Sequence, residues 1–250
     1  MRTINTALSF ILVLILSCSS VWAQQPSAAT ILEKVDRNLS SHNRIFKSKM
    51  VIHGRRGSRT VASRSWAEGD KKAFTEYLAP AREKGTKMLK LNDKLWMYSP
   101  ATDRTIRISG HMLRQSVMGS DLSYEDMMED KKLTDHYTAE VVGTEPFDGR
   151  DCWVLALTAT TKEVAYAKRK LWVDQERLIP LKEELFAKSG KLLKKLELKD
   201  VDRLDGRWFP KRMLFKDVLK KGKGTEFIFD EIQFDQQIPK HIFSKAILRK

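Results

Sequence analysis

Apolar and polar residues alternate along most of this chain with a period of two, the period of a strand that buries one face. Runs of this kind fall at 44–53, 59–68, 71–78, 86–91, 94–98, 104–108, 139–144, 151–159, 168–173, 181–186, 192–201, 207–215 and 224–234, and about eleven strands are expected from them. Within 86–108 the alternation pairs Leu89 with Leu91, Leu95 with Met97, and Ile106 with Ile108, and it leaves open which way Trp96 and Tyr98 face. Asn92-Asp93 and the Ser99-Pro100 step mark reversals between these runs. Asp148-Gly149 and Asp205-Gly206 mark two more, because both positions of a two-residue hairpin turn take positive φ. No strand alternates with a long helix, so the fold class is mainly β, an antiparallel meander rather than a doubly wound sheet.

Two stretches break the period. Residues 28–40 place Ile31, Leu32, Val35 and Leu39 on one helical face, with Thr30 and Glu33 at the spacing of a capping box. Between 111 and 128 no strand period holds, and Met112, Met118, Met127 and Met128 stand among Leu113, Val117, Leu122 and Tyr124. Four flexible, polarizable side chains in so short a stretch suit a surface that must fit irregular apolar shapes.

The N-terminus changes the compartment. After Arg2, residues 7–16 are apolar, about the length of a signal-peptide core and too short to span a bilayer as a helix. Val21-Trp22-Ala23 puts small residues where a signal peptidase reads them, so residues 1–23 are expected to be removed and 24–250 to form one domain. The rival is a lipobox, Ile15-Leu16-Ser17 before Cys18, which would tether the protein to a membrane. Either route exports the chain, and the expected location is the periplasm. Since Arg2 is the one charged residue removed, the net charge falls from +14 to +13. With Cys18 discarded or lipidated, Cys152 has no partner for an internal disulfide. Beside Trp153 in an apolar run, it reads as a buried structural thiol.

Catalytic chemistry finds little support. His42, His53, His111, His136 and His241 lack metal-ligand spacing, and no nucleophile elbow, zinc-protease helix or phosphate loop occurs. Residues 200–206 approach a calcium loop, but the third acid is a place late and Lys211 stands where a bidentate Glu is required, so a hairpin turn is expected. No enzyme activity, cofactor or metal is expected. The lysine runs at 168–170, 194–195 and 220–223 suit a solvated convex face; an anionic membrane surface is the next candidate, and nucleic acid is not expected for an exported protein.

A family resemblance narrows the reading. Lys84-Gly85-Thr86, the run from Leu95 to Pro100, Arg104, the run from Met118 to Asp126, the run from Leu171 to Asp174, the run from Leu178 to Lys182 and Gly190-Lys191 resemble the outer-membrane lipoprotein-sorting protein family, similar to the periplasmic carriers LolA and LolB. The resemblance implies an incurved antiparallel half-barrel covered by helical lid elements, here 28–40 and 110–130. It implies a carrier for acyl chains of lipoproteins or other lipids, working between an inner-membrane donor and an outer-membrane acceptor. Expected sheet lining is Leu89, Leu91, Met97, Ile106 and Ile108; expected lid residues are Met112, Val117, Met118, Met127 and Met128. The alternative is an envelope sensor or scaffold of the same fold that binds protein partners without carrying lipid.

Overall fold

The computed structural model of the protein describes residues 26–129, 132–162 and 164–249. The cleavage site and Cys18 lie outside these residues. Alternation along the chain becomes one antiparallel sheet of thirteen strands, in the order β6-β5-β4-β3-β2-β1-β13-β12-β11-β10-β9-β8-β7. The count exceeds the expected eleven because every alternating run is a strand of its own. The first meander comprises β1 (Asn43–Gly54), β2 (Gly57–Glu68), β3 (Lys72–Ala79), β4 (Lys87–Leu91), β5 (Lys94–Ser99) and β6 (Arg104–Ile108). The second comprises β7 (Tyr137–Phe147), β8 (Arg150–Ala159), β9 (Lys168–Asp174), β10 (Pro180–Phe186), β11 (Leu192–Leu204), β12 (Arg207–Asp217) and β13 (Gly224–Phe234). They join where β1 pairs with β13, with Met50 opposite Phe227.

Local chemistry places the turns. Asp148 and Gly149 take φ of 51° and 71°, and Asp205 and Gly206 take 48° and 80°, the left-handed pair that a tight hairpin needs. In the 200–206 stretch the carboxylates serve their strand neighbours: Asp200 accepts from Arg212 at 2.9 Å and Asp202 from Lys211 at 2.6 Å.

This order has a consequence for the lid. The two edge strands, β6 and β7, are consecutive in the chain, so residues 109–136 must run from one edge of the sheet to the other. Because a sheet twists with a fixed hand, its two edges can be bridged across the inner face.

Helix α1 (Ala28–Leu39) covers the β7–β9 part of that face. Ile31, Leu32 and Val35 are wholly or almost wholly buried against Leu155, Leu157, Leu171 and Val173. Each such side chain contributes about 1.5–3 kcal/mol by leaving water. The cap differs from the expected box: Ser27, in extended backbone, accepts from Thr30 N at 3.1 Å, while Thr30 itself lies inside the first turn. At the other end Asn38 donates to the carbonyls of Arg177 and Leu178, both at 2.9 Å, fixing the helix to the loop after β9.

The outer face of the first meander is covered too. Phe243 and Leu248, from the C-terminal segment, pack on Phe74 and Leu89, with Trp66, Leu91, Trp96 and Tyr98 around them.

Candidate functional site

Between β6 and β7 the described residues form two short 3-10 turns, Gly110–Arg114 and Val117–Gly119, then α2 (Tyr124–Met128) and α3 (Leu133–His136). The loop between the second turn and α2 closes on itself. Val117 N donates to the Leu122 carbonyl at 2.8 Å and Tyr124 N to the Gln115 carbonyl at 3.1 Å. Met118 and Gly119 hold left-handed backbone, with φ of 49° and 69°. Ser123 and Asp126 make a reciprocal capping box for α2: Asp126 N donates to Ser123 Oγ at 3.3 Å, and Ser123 N to Asp126 Oδ2 at 2.6 Å.

The apolar side of this lid enters the first meander. Val117 and Tyr124 are buried with Met50, Ile52, Val61, Tyr77, Met88, Leu95 and Ile108, and Met112, Leu113, Met118, Met127 and Met128 pack around them half-buried. Tyr124 Oη lies 3.5 Å from Met97 Sδ. Eight of the ten expected residues thus share this side: Met97, Ile108, Met112, Val117, Met118, Met127 and Met128 in the cluster, and Ile106 opposite Met97 on the edge strand, 40% exposed.

Leu89 and Leu91 do not. They lie on the outer face beneath the C-terminal segment, with Trp96 and Tyr98. Alternation is the reason: Met88, between the lid and the sheet, and Leu89 are successive residues of one strand and must point to opposite faces. Periodicity identified the pairs correctly but carried no information on which parity faces inward.

The middle of the inner face was missed. Directly opposed residues of an antiparallel pair share a face, and Met50 opposes Phe227, Phe227 opposes Met213, and Met213 opposes Leu198. Phe229 continues this row, with ring centroids 5.3 Å from Phe46, 5.1 Å from Phe209 and 5.0 Å from Phe227. Phe46, Leu196, Met213, Phe215, Phe227 and Phe229 are only partly buried, whereas Met50, Leu95 and Ile108 beneath the lid and Leu155 and Leu171 beneath α1 are buried. The signal existed in the sequence: Phe227 and Phe229, and Met213 and Phe215, are period-two pairs as clear as those at 95–108.

A charged network ties the lid to the second meander. Asp126 of α2 accepts from Lys194 of β11 and from Tyr166, and Lys194 Nζ also stands 3.4 Å from Ser123 Oγ. Glu129 meets Arg169 of β9 at 2.6 Å, and Arg169 reaches Glu183 of β10 at 3.4 Å. The guanidinium lies over the rings of Tyr137 and Tyr166, at 5.0 and 5.6 Å. Burial pushes the Glu129 and Glu183 carboxyls up, more than Arg169 draws them down. Burial and the neighbouring Asp126 push the Tyr166 hydroxyl well above the usual tyrosine range. Asp36 of α1 accepts from Leu133 N and Thr134 N, each at 3.0 Å, so it caps α3 and couples the two covering elements.

Between the lid and this network lies a cleft of about 490 Å³, reached by Lys90, Leu113, Met128, Glu129, Tyr137 and Arg169. A wider, shallower groove of about 580 Å³ runs between residues 26–28, at the start of α1, and residues 141–144 of β7. Among the described residues no His, Cys, Asp and Glu side chains gather to hold a metal ion. Cys152 is buried, and burial pushes its thiol up to about 11, far from the low value of a nucleophilic cysteine.

An open antiparallel sheet with its inner face spanned by a helix and a methionine-rich crossing segment defines a half-barrel fold of the LolA type. Three solved structures share it. An outer-membrane lipoprotein-sorting protein domain from Vibrio parahaemolyticus is 25% identical, with a TM-score of 0.77, covering 89% of this chain and 98% of its own. A DUF1329 family protein from Desulfovibrio piger is 25% identical, with a TM-score of 0.79 over 88% of this chain and 97% of its own. A LolA superfamily protein from Nitrosomonas europaea is 26% identical, with a TM-score of 0.73 over 89% and 99%. Residues 69–250 match a family model described as "-like: Uncharacterized protein". No curated protein matches the sequence. The chain belongs to the family whose model residues 69–250 match, and it shares its fold with LolA-superfamily proteins, an outer-membrane lipoprotein-sorting domain among them.

Proposed function

We propose that the protein is a periplasmic carrier that takes acyl chains, of lipoproteins or of other lipids, between its sheet and its lid and hands them on without covalent chemistry. The observation that carries this reading is the row of partly buried Phe46, Phe227, Phe229 and Met213 on the inner face, continuous with the side chains beneath the lid. Lid methionines fill the space when no chain is bound and turn aside when one enters. Each methylene that leaves water contributes about 0.8 kcal/mol, so eight of them would supply about 6 kcal/mol, enough for a ligand that must also be released. Among the described residues no helix is long and apolar enough to cross a membrane. A donor at the inner membrane and an acceptor at the outer membrane are the partners this reading requires.

Native mass spectrometry of protein purified without detergent tests the reading directly: lipid-like adducts are expected on the folded chain. Met118→Asp tests the lid. Position 118 has left-handed backbone, which Asp tolerates, so the fold survives. An unpaired carboxylate against an acyl chain then weakens displacement of a fluorescent fatty-acid probe by about tenfold. Unchanged probe binding in the folded variant, with no adduct on the wild type, would favour the envelope scaffold or sensor.

A further inference from the structure

We propose that two neighbouring turns form a docking surface for an anionic bilayer, and that docking there loosens the lid. The β1–β2 turn carries Arg55 and Arg56, both exposed; the turn between β12 and β13 carries Leu219, Lys221 and Lys223, also exposed. They sit together because Lys223 N donates to the His53 carbonyl at 3.1 Å. Gly222 fits the contact with φ of 121°, and a Cβ there would come 2.8 Å from the His53 oxygen. Arg55, Arg56, Lys221 and Lys223 form no ion pair with any described residue. The nearby carboxylates are engaged elsewhere: Asp217 accepts from Leu219 N at 3.0 Å, Glu226 from His53 at 2.8 Å, and Asp121 from Thr225 at 2.9 Å.

Four unpaired cations around a leucine that is 61% exposed match the surface of an anionic membrane. Phosphates attract the cations, and the leucine can enter the boundary between headgroups and acyl chains. An acidic protein partner would need no such leucine among lysines.

The same turns hold the lid. Lys220 donates to Ser116 Oγ and, at 2.5 Å, to the Ser120 carbonyl. Arg59, at the start of β2, donates to the Met118 carbonyl. These two cations therefore hold the 116–120 turn while standing beside the docking surface. Lipid phosphates compete with backbone carbonyls for Lys220 and Arg59, so the turn is freed where the bilayer is met.

The test uses the mature chain with vesicles and no cargo, so it succeeds or fails separately from the carrier reading. Co-sedimentation with phosphatidylglycerol-containing vesicles is expected, weakening as salt rises, and none with pure phosphatidylcholine vesicles. Replacing Arg55, Arg56, Lys221 and Lys223 by Ser should weaken binding at least about tenfold, and Leu219→Ser about threefold. Removing four exposed lysines elsewhere, at 34, 162, 188 and 191, should change it less than about twofold. Equal loss in this control would show that net charge alone acts and would overturn the site, as would full binding by the turn variant. Hydrogen exchange reads the coupling: vesicles should speed exchange at 117–124 in the wild type and not in the turn variant. Unchanged exchange on bound vesicles overturns the coupling.

Discussion

Charge removal at Asp126 isolates what keeps the lid closed. Asp126→Asn keeps size and capping ability but leaves the Lys194 ammonium without its counter-ion. The two side chains are 11% and 10% exposed. Stranding one partner of a buried pair costs about 3–5 kcal/mol, and the lower end applies because neither group is fully enclosed. About 3 kcal/mol is a factor of roughly 150 in an equilibrium constant. Whole domains are stable by about 5–15 kcal/mol, so such a loss could unfold a marginal protein if it fell on the entire fold. Here it falls on a segment tied to the sheet chiefly by side chains, and local opening costs less than global unfolding.

Native-state hydrogen exchange separates the two cases. The amides of Val117, Ser120 and Tyr124, bonded within the lid loop at 2.8, 2.9 and 3.1 Å, should exchange roughly 150-fold faster in Asp126→Asn. Amides of β8 and β9 should be unaffected. Adding Lys194→Met to Asp126→Leu should restore most of the protection, since an apolar pair of similar volume can replace a buried ion pair at little cost. The reasoning is refuted if lid and sheet amides accelerate together, because the latch would then be part of the global core.

The remaining predictions rest on burial. Burial holds the Glu129 and Glu183 carboxyls above the usual range, so folding takes up protons there, and this contribution is present below about pH 4.5 and lost as pH rises through the raised values. The unfolding free energy of the wild type minus that of Glu129→Gln, followed by urea titration, should therefore fall as pH rises above that point; a rising difference would show that the Arg169 pair outweighs burial. Ile106→Asp should cost less than about 1 kcal/mol by thermal melting, because the side chain is already 40% exposed, whereas Leu155→Asp, wholly buried, should abolish folding. Native Cys152 should resist a colourimetric disulfide reagent at pH 8 and react only on unfolding, given its burial and its raised thiol.

The strand content was legible because alternation is a local property, and each alternating run became a strand. Which face of β4 looks inward was not, because parity is settled by what covers each side, and both sides are covered: the lid buries Met88 while Phe243, more than 150 residues away, buries Leu89. The methionine-rich segment was recognisable as a covering element from composition, but its latch was not. Lys194 and Arg169 stood in lysine-rich runs that read as solvated surface, and both alternate inward. A run such as Lys168-Arg169-Lys170 divides between two faces, so its members cannot share one role: Arg169 is enclosed by Glu129 and Glu183, while Lys170 lies outside over the ring of Trp172 at 4.5 Å. Burial of charge also bears on the carrier function proposed above. An apolar lid alone would close too well, since every methionine it buries adds stability in the absence of cargo. By placing Asp126 and Glu129 beside the methionines, opposite Lys194 and Arg169, the chain adds desolvated ion pairs whose attraction only partly offsets the cost of their burial. In the carrier function proposed above, this would bring the closed state closer in free energy to the open one, the balance needed to both hold and surrender a ligand.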